Sequence, residues 1–250
     1  MNRRHKSRKK RRGHPHRRVA HLQAMFARPT PPVPGRLFDY PPEQSPAEER
    51  VNAITHGVAA LTTLLATPWL VWLAWHRTGW LMSVGCLLYA GSLAAVFTCS
   101  ALSHWVEPPR LRHLFRTLDQ AAIYLLTAGS FTPYFLKYLN AEGWYLILPA
   151  LWVLALLMAW DKLRGARVNS ISIPSHVALG AFPFIAIPRM SAVMPPGVLA
   201  LTGATVACYL VGLAFLIYDH HVRYYHAAWH VLVIIGCFFT FIGIPLYVLD

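Results

Sequence analysis

The stretch HAAWHVLVIIGCFFTFIGIPLYVL, residues 226–249, decides how this chain folds. It contains no Lys, Arg, Asp or Glu, and about 20 mostly apolar residues are what a helix needs to cross the hydrocarbon of a bilayer. Six further stretches of the same character lie upstream, near residues 54–75, 80–103, 118–138, 143–161, 174–190 and 195–218. The expected fold is therefore all-α, a seven-transmembrane helix bundle over residues 47–250. The fifth stretch is short and carries Pro183 and Pro188, which remove backbone donors, so it needs packing against neighbours to stay in the membrane. Pro68, Pro133 and Pro245 predict kinks in the first, third and seventh spans.

Composition agrees with this reading. Of 250 residues 56% are hydrophobic and 13% charged, which excludes an ordinary soluble domain and any disordered class. Cys86, Cys99, Cys208 and Cys237 all lie in apolar stretches without a C-x-x-C pair, so they read as small packing residues and not as a disulfide framework or a thiolate metal site.

Charge sets the expected orientation. With the N-terminus inside, the cytoplasmic connections carry Arg110, Arg112, Arg116, Lys162, Arg164, Arg167 and Arg223, against Arg77, Lys137 and Arg189 outside. Positive residues are retained in the cytoplasm, so the N-terminus is expected to be cytoplasmic and Asp250, after seven spans, outside. Residues 1–46 form a basic, Pro-rich tail: 13 of the 23 Lys and Arg fall within the first 50 residues. Such a run is expected to be disordered, and to lie on anionic lipid headgroups in preference to nucleic acid, each nearby basic residue adding roughly 1 kcal/mol. Its apolar piece, VAHLQAMFA, is too short and interrupted for a secretory signal.

Polar residues inside these spans are few, and they gather at one depth. His226 and His230 are spaced i, i+4, about 40° apart around a helix, which lets two imidazoles grip one cation. Catalytic zinc takes three protein ligands and keeps a fourth position open, and His104, at the inner end of the second span, supplies the third. Asp119 starts the third span at that same inner end. The pair stands in HAAWH, without the glutamate of H-E-x-x-H, so this is not a zincin. Two interfacial histidines satisfied by headgroups or water are the plainer alternative, and His220 and His221 in the preceding polar loop, DHHVRYY, are the substitutes if a ligand is misassigned.

Ser100 and His104 form S-x-x-x-H on one helix face, although a membrane serine commonly bonds its own i−4 carbonyl. Ser103 is adjacent to His104 and points elsewhere. Asp119, an ionisable residue opening an apolar helix, is costly enough to be read as functional by default, with an N-terminal cap as the alternative. Beside three histidines its carboxylate can orient or deprotonate a water. Glu49, Asn52 and His56, spaced i, i+3, i+7, form one stripe of polar supports facing the same cavity, and His176 is placed to join them.

The segments EERVNAITHG (48–57), SALSH (100–104), LDQAAIYLLTAGSFTP (118–133) and HAAWH (226–230), in this order on these spans, resemble the haemolysin III family of bacterial membrane proteins, relatives of the progestin and adiponectin receptors. The likeness covers residues 47–249. It implies a seven-helix fold with zinc near the cytoplasmic face, within a wider superfamily that includes alkaline ceramidases, and a place in the bacterial inner membrane. Residue by residue it implies His104, His226 and His230 as zinc ligands, with Ser100 and Asp119 beside the reactive water. Gln120 stands where the family often has histidine, and Phe131 where tyrosine is common; neither is a proposed ligand.

Three functions are compatible with these residues. The first is a zinc-dependent hydrolase of a lipid amide or ester at the cytoplasmic leaflet. The second is a pore-forming, cytolytic protein, as the family's name implies, although the spans lack a repeated polar face or a ring of charge. The third is a lipid-state sensor or receptor in which zinc is structural. A three-histidine set with an open position favours the first.

Overall fold

The computed structural model describes residues 44–140, 143–165 and 173–250. The expected tail of residues 1–46 lies almost wholly outside them, as does Arg167. Every regular element among the described residues is helical.

Helix α1 (Pro46–Thr78) begins with a reciprocal cap: Ser45 accepts from the Glu48 N–H, and the Glu48 carboxylate accepts from the Ser45 N–H. It runs on through Pro68 and is followed after one residue by α2 (Trp80–Trp105). That residue is Gly79, whose φ of 94° lies where a side chain is strained. Its N–H reaches the Ala74 carbonyl, and its own carbonyl accepts from Ser83. The most extensive helix–helix contact of the bundle follows from this hairpin, because α1 and α2 then return side by side and bring Glu49 and His104 to one end.

Helix α3 (Pro109–Tyr138) packs between α2 and α4 (Ile147–Gly165), the latter entered through a 3-10 turn at Trp144–Leu146. The α2–α3 seam is close at Gly129, where a β-carbon would lie 2.5 Å from Ser92 Oγ and 3.2 Å from the Leu88 carbonyl oxygen. Small residues at such seams let helix backbones approach in lipid. The fifth predicted span is broken: α5 (Ile173–Ala181), a 3-10 turn at Phe182–Ala186 and α6 (Ile187–Val193) follow one another. Pro183 and Pro188 each stand near the start of a new piece, where their missing N–H has no helical partner to lose. Helices α7 (Pro196–Ile217) and α8 (Tyr225–Gly243) form the second long hairpin, and α8 also packs on α1.

Pro245 does more than kink the last span. The segment Ile244–Val248 widens to a π turn, with the Leu249 N–H reaching the Ile244 carbonyl. The Ile244 N–H turns to Phe241 and Pro245 has none, so the Thr240 carbonyl accepts instead from the Tyr134 hydroxyl at 2.7 Å.

Among the described residues, six stretches are long and apolar enough to cross a membrane: Pro46–Thr78, Trp80–Trp105, Trp144–Arg164, Ile173–Val193, Pro196–Ile217 and Tyr225–Val248. Helix α3 is the one expected span outside this set, since the stretch after Arg116 is interrupted by Asp119, Gln120, Thr127, Ser130, Thr132 and Pro133. Two apolar cores hold the bundle. The larger joins α1, α2, α3 and α8 around Tyr89, Leu93, Phe97, Phe135 and Cys237. The smaller packs Ala121, Tyr124 and Ala128 of α3 on Leu151 and Ala155 of α4 and on Leu179 of α5. Outside, Leu64, Leu65, Trp69, Trp72, Trp75 and Trp80 are exposed along the α1–α2 hairpin, an arrangement suited to acyl chains with aromatic rings toward the interface.

Candidate metal centre

His104 ends α2 and His226 and His230 open α8, and the fold brings the three together. One donor atom from each lies within 4.8 Å of the other two. Their ring centroids are 5.2 Å (His104–His226), 5.2 Å (His104–His230) and 4.6 Å (His226–His230) apart, with the planes steeply inclined. His104 and His230 are buried and His226 is partly so. Tetrahedral zinc with bonds of 2.0–2.1 Å sets its nitrogen donors about 3.4 Å apart, a closure of at most about 1.5 Å. The set can hold a metal ion.

The second nitrogens of the rings support that fit. Nδ1–H of His104 donates to Glu49 Oε2 at 2.6 Å, and Nδ1–H of His226 donates to Asp219 Oδ2 at 2.8 Å. Both rings therefore keep Nε2 as the lone-pair nitrogen, the tautomer a metal ligand needs, with a carboxylate behind it to fix orientation and raise basicity. Glu49 is held in turn by Arg116, whose Nη2 lies 3.5 Å from Oε1. Asp219 is 4% exposed and also lies 3.3 Å from His220 Nδ1.

His230 is backed differently. The ring of His56 stacks on it at 3.7 Å and 11°, and Phe97 closes the far side of His56 at 5.1 Å. Among the described residues, both nitrogens of His56, Nδ1 of His230 and Oδ1 of Asn52 are buried without a partner at full hydrogen-bond geometry, His56 facing the backbone of His230 and His230 that of Asn52, a polar seam of the kind internal water fills. Asn52 donates through Nδ2 to Gln44 Oε1. The stripe Glu49, Asn52, His56 thus does face the histidines from α1.

Ser100 is fully buried one turn before His104 and faces the Asp119 carboxylate of α3. Asp119 stands outside the close group of donor atoms. Ser103 bonds the Ser100 carbonyl at 2.8 Å, a local helix contact. His176 stacks on Tyr124 at 3.9 Å and meets the Gln120 carbonyl at 3.2 Å, while the Tyr124 hydroxyl pairs with Ser175 at 2.6 Å. It belongs to a separate α3–α5 cluster and does not extend the stripe on α1.

The haemolysin-III related family matches residues 44–241. The chain belongs to this family. Among haemolysin III relatives, "Hemolysin-3" of Bacillus cereus is 30% identical over 203 residues, covering 81% of this chain and 92% of that protein. "Hemolysin-3 homolog" of Bacillus subtilis (strain 168) is 27% identical over 202 residues, covering 80% and 94%. Together with six membrane-capable helices, this makes the chain a multi-pass integral membrane protein of the haemolysin III family.

Proposed function

We propose that this protein is a zinc-dependent hydrolase of a lipid amide or ester, working at the cytoplasmic leaflet from within a seven-helix bundle. The observation that carries the reading is the pairing of His104 with Glu49 and of His226 with Asp219, which leaves Nε2 of both rings free at a centre shared with His230. Three histidines with an open fourth position are the usual ligand set of catalytic zinc, whereas structural sites are closed by four protein ligands. When bound, zinc supplies a Lewis acid that polarises a carbonyl and acidifies water.

The chain's own residues do the rest. The Asp119 carboxylate accepts a proton from the attacking water and passes it to the leaving amine or alkoxide as the carbonyl C–N or C–O bond breaks. The Ser100 hydroxyl orients that carboxylate, and hydrogen-bonds the oxygen on which negative charge develops when Asp119 is protonated. Glu49 and Asp219 hold the two imidazoles in place throughout.

Helix α3 serves as the seventh span in this reading. Its 30 residues exceed the about 20 that cross the hydrocarbon, so Pro109–Thr117 lies at the charged rim and residues 118–138 run through. Seven spans with the basic connections inside place the N-terminus in the cytoplasm and Asp250 outside. The relatives' names carry a lytic reading, but among the described residues the buried acidic side chains and histidines, Glu48, Glu49, His56, His104, Asp219 and His230, gather at one end of the helices and do not line a path through them.

The test is metal analysis and turnover of ceramide and other lipid amides and esters by the purified protein. His230→Ala is expected to lose both metal and turnover, and Asp119→Asn to keep the metal and lose turnover. Wild-type protein loaded with zinc and inert toward the whole lipid panel overturns the hydrolase reading in favour of a sensor. Liposome leakage that survives both substitutions favours the lytic one.

A further inference from the structure

The two neighbouring carboxylates at the start of α1 diverge. Glu49 backs His104 on α2, whereas Glu48 reaches across 176 residues of sequence to the start of α8. Glu48 is 3% exposed. Its Oε2 accepts from both the N–H and the hydroxyl of Ser45, and its Oε1 accepts from the main-chain N–H of Tyr224 at 3.0 Å.

Tyr224 is the residue that caps α8. It is the one non-glycine residue with positive φ among those described, at φ 64°, ψ 3°, and it has no side-chain cap bond. A tyrosine avoids this left-handed conformation unless its surroundings impose it. The Tyr224 carbonyl begins the helix by accepting from Ala228, and His226 stands within that first turn. Whatever fixes Tyr224 fixes the direction in which His226 is presented.

We infer that Glu48 is a positioning residue for the metal centre, holding the Tyr224 N–H so that α8 starts in the register that sets His226 beside His104. The inference rests on the metal reading above for its function, and on geometry alone for the clamp. The αL turn at Tyr224 and the buried carboxylate facing its N–H are independent features that meet at one atom pair.

The experiment compares wild type, Glu48→Ala, Ser45→Ala and the double variant Glu48→Ala/Tyr224→Gly in detergent. Zinc affinity is read by competition with a chromogenic chelator, and exchange of the Tyr224–Ala228 amides is read on the zinc-free protein. Ser45→Ala removes the helix cap and leaves the clamp, so it separates loss of α1 stability from loss of positioning. Glu48→Ala is expected to weaken zinc at least tenfold and to speed exchange at the start of α8, with Ser45→Ala within twofold of wild type in affinity. Glycine adopts the left-handed turn without strain, so Tyr224→Gly is expected to restore most of the lost affinity.

Affinity in Glu48→Ala within twofold of wild type, or an equal loss in Ser45→Ala, overturns the inference. If wild type binds zinc no better than His230→Ala, the metal reading itself fails. Amide exchange then decides the clamp alone: faster exchange in Glu48→Ala than in Ser45→Ala upholds it, and equal exchange refutes it.

Discussion

Glu49 and His104 are 55 residues apart in sequence and 2.6 Å apart in space, carboxylate oxygen to Nδ1. The contact is made by the hairpin at Gly79, which returns α2 alongside α1, and it is closed from the other side by Arg116 of α3. Replacing a carboxylate behind a metal-binding imidazole typically costs 10–100-fold in metal affinity. Glu49→Gln keeps the side-chain size and can still accept a hydrogen bond, but it removes the charge that steadies His104 and Arg116. Its zinc affinity is expected to fall by about 10–100-fold with the helical circular dichroism unchanged, as measured by chelator competition.

Asp219 gives the matching prediction at the other ligand. It lies 2.8 Å from His226 Nδ1 and 3.3 Å from His220 Nδ1, so two substitutions separate its partners. Asp219→Asn is expected to weaken zinc by a factor like that of Glu49→Gln, whereas His220→Ala, at an exposed ring, is expected to leave affinity within about twofold of wild type. Loss of metal in His220→Ala would identify it as a ligand in place of His226.

Much of this centre was legible in the sequence because helices carry their own ruler. The i, i+4 spacing of His226 and His230 and the stripe Glu49, Asn52, His56 each define a face, and the apolar lengths of the spans put His104 at the same depth. Asp219 was not legible: it sits seven residues before His226 in a loop, where no period relates the two side chains. The contact of Glu48 with Tyr224 was hidden for a related reason, since its acceptor pairs with a main-chain N–H that any residue type offers. His176 misled because depth alone placed it near the site, while its ring is taken by Tyr124 on another seam. The fifth span was read correctly as weak, and the structure resolves its two prolines by breaking the helix into pieces.

Helix approach supplies a prediction independent of metal. At Gly129 an added β-carbon would press 3.2 Å from both the Leu88 carbonyl oxygen and Tyr89 Cα, backbone atoms that cannot swing aside. At Gly91 on the neighbouring helix it would meet nothing within 4 Å. Gly129→Ala is therefore expected to separate α2 from α3 and cost about 1–3 kcal/mol, seen as a lower midpoint of thermal unfolding in detergent. Gly91→Ala, with open space and a better helix former, is expected to leave the midpoint unchanged or raise it slightly.

The last span tests whether its proline is compensated from outside the helix. Pro245 has no N–H to give, the Ile244 N–H goes to Phe241, and the Thr240 carbonyl is reached by the Tyr134 hydroxyl at 2.7 Å. Tyr134→Phe removes that donor without changing the ring, leaving a carbonyl unpaired where no bulk water reaches it, at a cost of about 1–3 kcal/mol. If Pro245 created the need, Tyr134→Phe should cost less in a Pro245→Ala background, where residue 245 regains an N–H and the turn can return to ordinary helical spacing. Equal loss of thermal stability in both backgrounds would show that the Tyr134 hydroxyl stabilises α3 against α8 whatever stands at residue 245, and that Pro245 did not create the need for it.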